Sequence, residues 1–425
     1  MKEEFLYYLW QHQLFRKKDL RLVDGSHIEV IKPGFRNLNN GPDFKESLIL
    51  INGIKWYGSV EMHVKASDWH MHNHHKDPHF DNVVLHVVFL SDKVILNTDQ
   101  SAIPCLELKG IYQPKVYHRY MNLVENPGHI PCQQQIQSVE YIIRLSMLEA
   151  ALIERLKRKA DMLTSELVKT QYDWEEVTFR MLAKGMGFKT NGEGMLTLSR
   201  LIPLKYLTRL SSLFQKEALL LGVAGFLGRN NEDSYHQSLK EEYSHLKRKF
   251  KIRKEVEIQE WKFSPIRPAN FPVFRIAQLA AIVHQHQNLW SLFLTSKAPK
   301  EFIGQLQISP SAYWEKHYRF GRETTVKGYK LSKSSISHFL INITAPLLVA
   351  YSRYTDELTY QDRALSFLSM LPREQNRITR EWQKLNWPIA SAFDSQGLNE
   401  LYHEYCQKRQ CLNCKIGHRL LQAES

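Results

Sequence analysis

GPDFKESLILINGIKWYGSVEMHVK, residues 41–65, is the stretch whose reading decides the fold. Its apolar runs Ser47 to Ile51 and Trp56 to Val64 flank Asn52-Gly53, and both turn residues accept the positive φ that a tight hairpin needs. Two antiparallel strands joined at residues 52–53 are therefore predicted. In the second run Val60, Met62 and Val64 alternate with Glu61, His63 and Lys65, and a strand sends successive side chains to opposite faces. Glu61, His63 and Lys65 share one face, and the apolar set is expected to face a core. The hairpin carries Asp43, at the mouth of the first strand, toward Glu61. Neighbouring carboxylates raise each other's pKa and call for a cation between them. A divalent metal is the natural candidate.

On the C-terminal side, Ser67-Asp68-Trp69 suits the cap of a short helix. Val83 to Leu90 is a nearly continuous apolar run of the sort buried in a sheet centre, and Val94 to Asn97 and Cys105 to Leu108 are further predicted strands. On the N-terminal side, Lys2 to Phe15 carries Phe5, Leu6, Leu9, Trp10 and Leu14 at a period of about 3.6 residues, the mark of a helix. Glu3 and Glu4 suit its first turn. His27 to Ile31 is a short predicted strand before the Pro33-Gly34 turn. Between residues 41 and 90 lie seven histidines. His63 and His86 sit inside apolar strand patterns, where a buried polar group needs a partner. His70, His72, His74, His75 and His79 occupy a polar stretch where solvated histidines are common.

This order of helix, strands, short helical segment and further strands, with Pro42-Asp43 before one strand and Glu61-x-His63 on the next, resembles the PD-(D/E)XK, or restriction-endonuclease-like, nuclease core. The resemblance implies an α/β fold of the α+β kind with a mixed sheet, and metal-dependent phosphodiester hydrolysis on DNA or RNA. Asp43 and Glu61 then hold Mg²⁺ or Mn²⁺. In that family a lysine two residues after the glutamate orients or activates the attacking water. Here His63 stands in its place, as base or metal ligand, with Lys65 on the same face; His86 is a further ligand candidate. The departure leaves open a catalytically inactive adaptor that binds nucleic acid or protein with the same fold. The spacing of His70, His72 and His74 also suggests a cupin-like histidine metalloenzyme on a small molecule, although a barrel needs many more short strands.

A second resemblance covers nearly the whole chain. Asn40 to Phe44, Val60-Glu61-Met62-His63, Ser67-Asp68-Trp69, Leu85-His86-Val87-Val88, Arg267-Pro268, Phe271-Pro272 and Cys406, Cys411 and Cys414 together resemble a bacterial family labelled domain of unknown function 2851. It implies no activity.

At 425 residues the chain allows about two or three domains. Charge divides it: residues 1–135 hold 15 Lys and Arg against 15 Asp and Glu, leaving 42 against 29 of the totals of 57 and 44, whereas 11 of the 19 histidines fall in that first part. The expected organisation is a nuclease-like α/β core at 1–136 and a mainly helical, basic region at 137–425 with a C-terminal cysteine cluster. Glu140 to Lys169 has the leucine spacing of one long helix and includes Arg155, Lys157, Arg158 and Lys159. The glycine-rich stretch Gly185 to Gly194 lacks the ending of a phosphate-binding loop and is expected to form turns. Lys247, Arg248, Lys249, Lys251, Arg253 and Lys254, around Phe250, form the densest basic run and suit a nucleic-acid backbone. Trp261 to Pro272 holds three prolines and is expected to be a linker or crossover. Phe274 to Phe293, Ile336 to Tyr351 and Arg373 to Lys384 are expected to be helical.

Leu340 to Tyr351, interrupted by Asn342 and Pro346, falls short of the roughly 20 residues of a membrane span. Residues 1–15 lack a secretory pattern, and an odd number of cysteines argues against a disulfide framework. The expectation is a cytoplasmic protein with no membrane partner. Oligomeric state is not legible. Finally, Cys406, Cys411 and Cys414 have Cys-x4-Cys-x2-Cys spacing, which lets two thiolates converge on one ion across a tight turn with the third nearby. A fourth ligand is either Cys132, which would resemble iron–sulfur-stapled nucleases that combine one distant cysteine with three near the C-terminus, or His418, giving a local zinc site.

Overall fold

The computed structural model describes residues 1–228, 231–325 and 329–422. Two compact units emerge, one of Met1–Met147 with Tyr402–Ser425 and one of Leu148–Leu401. The C-terminal cysteine segment thus folds with the sheet unit, because its terminal helix, Lys415–Gln422, packs on helix α3 (Pro114–Glu125).

The first unit contains α1 (Glu3–Gln11), β1 (Ile28–Lys32), β2 (Phe35–Arg36), β3 (Phe44–Ile51), β4 (Ile54–Lys65), α2 (Asp68–Met71), β5 (Val83–Leu90) and β6 (Cys105–Glu107) before α3. Strand order is β1-β3-β4-β5-β6, with β2 paired to β3. The β3–β4 hairpin closes with Ile51 opposite Ile54, and Asn52 and Gly53 take φ of 50° and 82°, as the primed turn requires. By contrast β4, β5 and β6 run parallel. A parallel neighbour needs a crossover, so the chain between Lys65 and Val83 must traverse a sheet face. That crossover carries α2 and two 3₁₀ turns, His74–Lys76 and Pro78–Phe80.

The crossover explains why both faces of central β4 are covered. Val60 and Met62 are buried, and so are Glu61 and His63. On the apolar side α1 packs against β4, with Tyr7 against Phe44, the cross-strand partner of Val60. On the other side, Trp69 and Phe80 of the crossover cluster with Val88, Ile95 and Ile103. Val94 to Asn97 is not a strand: Val94 is exposed and Leu96 makes only an isolated bridge to Ala102.

The second unit is helical. Helix α4 (Tyr141–Lys169) carries buried Leu148, Leu152, Leu156 and Leu163. The expected turns at Gly185 to Gly194 are instead helix, Trp174–Met186 and Phe188–Leu201 with Gly187 between them. These glycines serve close packing: a Cβ on Gly194 would lie 3.1 Å from the Trp261 ring, and one on Gly187 2.4 Å from the Asn191 backbone. Lys333–Thr355 is one continuous helical stretch of 23 residues, long and apolar enough by length and composition to cross a membrane, and most of it is buried. A π-helical turn at Leu340–Thr344 precedes Pro346 and carries the helix through it. The fold is a mixed α/β arrangement, a curled mixed sheet in the N-terminal part followed by a mostly helical region.

Candidate metal centre

Parallel pairing of β4 and β5 sets Glu61 beside His86 and His63 beside Val88, so three polar side chains share one face. All three are buried: Glu61 is 5% exposed, His63 1% and His86 0%. His63 Nδ1 lies 2.8 Å from His86 Nε2, which leaves His63 Nε2 facing His72 Nδ1 at 3.1 Å. His72 follows α2, and His74 opens the next 3₁₀ turn. Between them Asn73 adopts a left-handed φ of 62°, a conformation that asparagine tolerates, and the kink lets both rings face His63. His74 stacks on Phe80 with centroids 3.8 Å apart, and its Nε2 is 3.2 Å from Glu61 Oε1. His63 Nε2 is 3.6 Å from the same oxygen.

The ligand atoms of His63, His72 and His74 all lie within 4.8 Å of one another, and His72 is exposed, so the group opens to solvent on one side. Burial, with the neighbouring histidines, holds the His63 imidazolium down to about 2, and burial holds His86 down to about 3. These rings are neutral near pH 7 and keep a lone pair for a metal. Three imidazoles and a carboxylate are the donor set of a borderline ion such as Zn²⁺ rather than of Mg²⁺.

Asp43 is locked to Glu61 through the backbone. Its N–H donates to Glu61 Oε2 at 3.0 Å, and its own Oδ2 accepts from the Met62 N–H at 3.1 Å. Burial, reinforced by Glu61, pushes the Asp43 carboxyl up to about 7. Arg36 Nη1 stands 3.5 Å from Asp43 Oδ1, with its guanidinium 3.3 Å from the centre of the Tyr7 ring. Arg36 also borders a cleft of about 810 Å³ in the same unit, lined further by Arg409, Lys415 and Arg419.

Several sequence candidates lie elsewhere. Lys65 is exposed at the end of β4, where its N–H donates to Asp68. His70 and His75 contact each other, and His79 pairs with Asp77. Lys247, Arg248, Lys249, Lys251, Arg253 and Lys254 are all exposed, in the second unit; Lys247 is held 2.6 Å from Glu255. Arg155 and Arg158 form no free basic face, since both reach the buried Glu400, and Lys159 donates to Asn342. Cys132, Cys406, Cys411 and Cys414 line one small cavity.

The sequence offers His72 and His74 only together with His70, through their alternate spacing, and the signal that separates them from His70 is Asn73, a left-handed residue between two rings. The second unit also holds a cleft of about 960 Å³ lined by Arg267, Arg275, Lys330, Lys333 and Arg373. Arg275 is 5% exposed and donates to Gln278, Asn270 and Ser335, all neutral acceptors.

Residues 3–377 match the family model described as Protein of unknown function (DUF2851). The chain belongs to that family. The matched residues include every member of the histidine–carboxylate group and Cys132, and end before Cys406. No curated protein and no solved structure matches the chain. The nuclease resemblance therefore rests on Asp43, Glu61 and the strand order alone.

Proposed function

We propose that this protein is a metal-dependent hydrolase of phosphodiesters in DNA or RNA, with its metal held by Glu61, His63, His72 and His74. The observation that carries the reading is the convergence of three ring nitrogens, two of them beside Glu61 Oε1, with one histidine open to solvent. A divalent ion there supplies Lewis acidity to a phosphoryl oxygen and lowers the pKa of water. His63 serves as ligand rather than base, because it is sealed from solvent between His86 and His72. His86 acts through His63, fixing its ring so that Nε2 faces the site; such partners of a ligating histidine set its orientation. Arg36 supplies the phosphate-binding character. Its planar guanidinium suits a phosphate, and it stands beside Asp43.

The test uses the purified chain with single- and double-stranded DNA and RNA in Zn²⁺ or Mn²⁺. Cleavage should be lost in Glu61→Gln and in His74→Ala while the far-UV circular dichroism is unchanged. Binding without turnover in the wild type would instead support the adaptor, and undiminished cleavage by both variants would refute the site.

A further inference from the structure

Four of the five cysteines converge, although Cys132 lies far in sequence from the other three. Cys132 is in the loop after α3, Cys406 ends a π-helical turn, Cys411 opens a 3₁₀ turn, and Cys414 immediately precedes the terminal helix. With Leu123, Pro131 and Gly417 they line a cavity of about 20 Å³. All are free thiols. The local backbone is committed to this approach. A Cβ on Gly417 would lie 2.1 Å from the Cys411 carbonyl oxygen, so only glycine lets the terminal helix come so close. Arg409, between Cys406 and Cys411, donates to the carbonyls of Asn126 and Gly128 and pins the Cys132 loop to this segment. Burial pushes the Cys414 thiol up, opposed in part by the N–H groups of Gly417 and Ile416, which donate to its sulfur.

We infer that Cys132, Cys406, Cys411 and Cys414 together ligate an iron–sulfur cluster. Ordinary core packing does not account for the group, since thiols around a shared cavity in place of aliphatic side chains are metal-ligand chemistry. Sulfur spacing selects the metal. One zinc ion with Zn–S bonds of about 2.3 Å gathers its thiolates to within roughly 4 Å of one another. Among the described residues no three of these cysteines have all their sulfurs within 4.8 Å. A cluster of several irons and sulfides holds its thiolates farther apart than a single ion can. The local alternative for the fourth ligand, His418, is turned away: its Nδ1 is 3.0 Å from the Tyr8 hydroxyl, its ring lies against His12, and it lines the other cleft. The cluster clips the C-terminal segment to the α3 side of the sheet unit, and its existence does not depend on the hydrolase reading.

The experiment is iron, acid-labile sulfide and zinc analysis of the full chain purified without oxygen. Iron and sulfide in equal amounts at stoichiometric occupancy, with broad visible absorption, are expected. Cys132→Ser should lose most of the iron, whereas Cys105→Ser and His418→Ala should retain it. Stoichiometric zinc without iron, neither metal at stoichiometric level, or full iron retention in Cys132→Ser would each overturn the inference. Should Cys132→Ser fail to fold, the wild-type analysis together with His418→Ala still decides.

Discussion

Glu61 and Glu400 are both buried carboxylates, 5% and 2% exposed, in opposite surroundings. Glu400, in the helical unit, lies 3.2 Å from Arg155 Nη1 and 2.6 Å from Arg158 Nη2. Glu61, in the sheet unit, turns one oxygen to the backbone of Asp43 and the other to His63 and His74. One carboxylate has its cations built into the fold. The other has imidazoles where cations would be. Burying a charge without a counter-ion costs several kcal/mol, so the first arrangement is complete in itself, whereas the second, on the function proposed above, is completed by an ion. The contrast separates an ion pair that holds a fold together from a group arranged to bind something.

The largest effect should come from breaking the complete pair. Glu400→Ala removes the carboxylate that two guanidiniums share, and because Arg158 is half exposed and Arg155 keeps Gln396 as an acceptor, the loss belongs near the lower end of the range for buried pairs, about 3 kcal/mol. Urea unfolding measures it, and a loss under about 1 kcal/mol would place Glu400 among ordinary surface pairs. Glu61→Gln should behave in the opposite way. Metal-free stability should hold or rise, since a carboxylate next to Asp43 is removed, while Zn²⁺ affinity falls by more than about tenfold, or ~1.4 kcal/mol. Calorimetric titration of wild type and variant checks both halves, and a large stability loss with unchanged affinity would make Glu61 a second Glu400.

A smaller effect with a pH signature comes from Lys159, in the same network as Glu400. Burial, aided by Arg155 and Arg158 and opposed by Glu374 and Glu400, holds its ammonium down to about 7 from 10.5. His338 also faces it. Because the folded value lies below the unfolded one, the unfolded chain binds this proton more readily, so stability rises with pH between the two values. The folding penalty is full below about 7, shrinks as pH rises and is gone above 10.5. Lys159→Met should therefore stabilise by more than about 1 kcal/mol near neutral pH, partly offset by the donor lost to Asn342. A gain that does not shrink in alkaline buffer would contradict the assignment. The smallest effect is expected at Lys247→Ala. Its partner Glu255 is exposed, and such pairs contribute under about 1 kcal/mol. A larger loss in urea unfolding would show that the basic run is structural.

The same contrast marks what the sequence discloses. The hairpin is legible because Asn52-Gly53 and the alternation from Val60 to Val64 are local signals, and β3 and β4 appear where those signals put them. The strand at Val83 to Leu90 is equally local. What the sequence hides depends on distant partners. Arg155 and Arg158 look like a basic helix face until Glu400, 242 residues from Arg158, comes to meet them. Gly185 to Gly194 look like turns until Trp261 and Ile343 fill the space their missing side chains leave. Asp43 and Glu61 are visible as a pair, but the direction in which Glu61 points is set by a crossover whose path depends on parallel pairing of β4 and β5. That path brings His72 and His74, rather than His70 or His79, to the site.

Anomalous scattering at the zinc edge, from crystals of the full chain soaked in Zn²⁺, tests the central claim most directly. The account predicts a strong peak that vanishes just below the zinc edge, bounded by Glu61 Oε1 and the ring nitrogens of His63, His72 and His74. A peak held by Asp43 and Glu61 with the histidines turned away, or no peak there at saturating zinc, would contradict it.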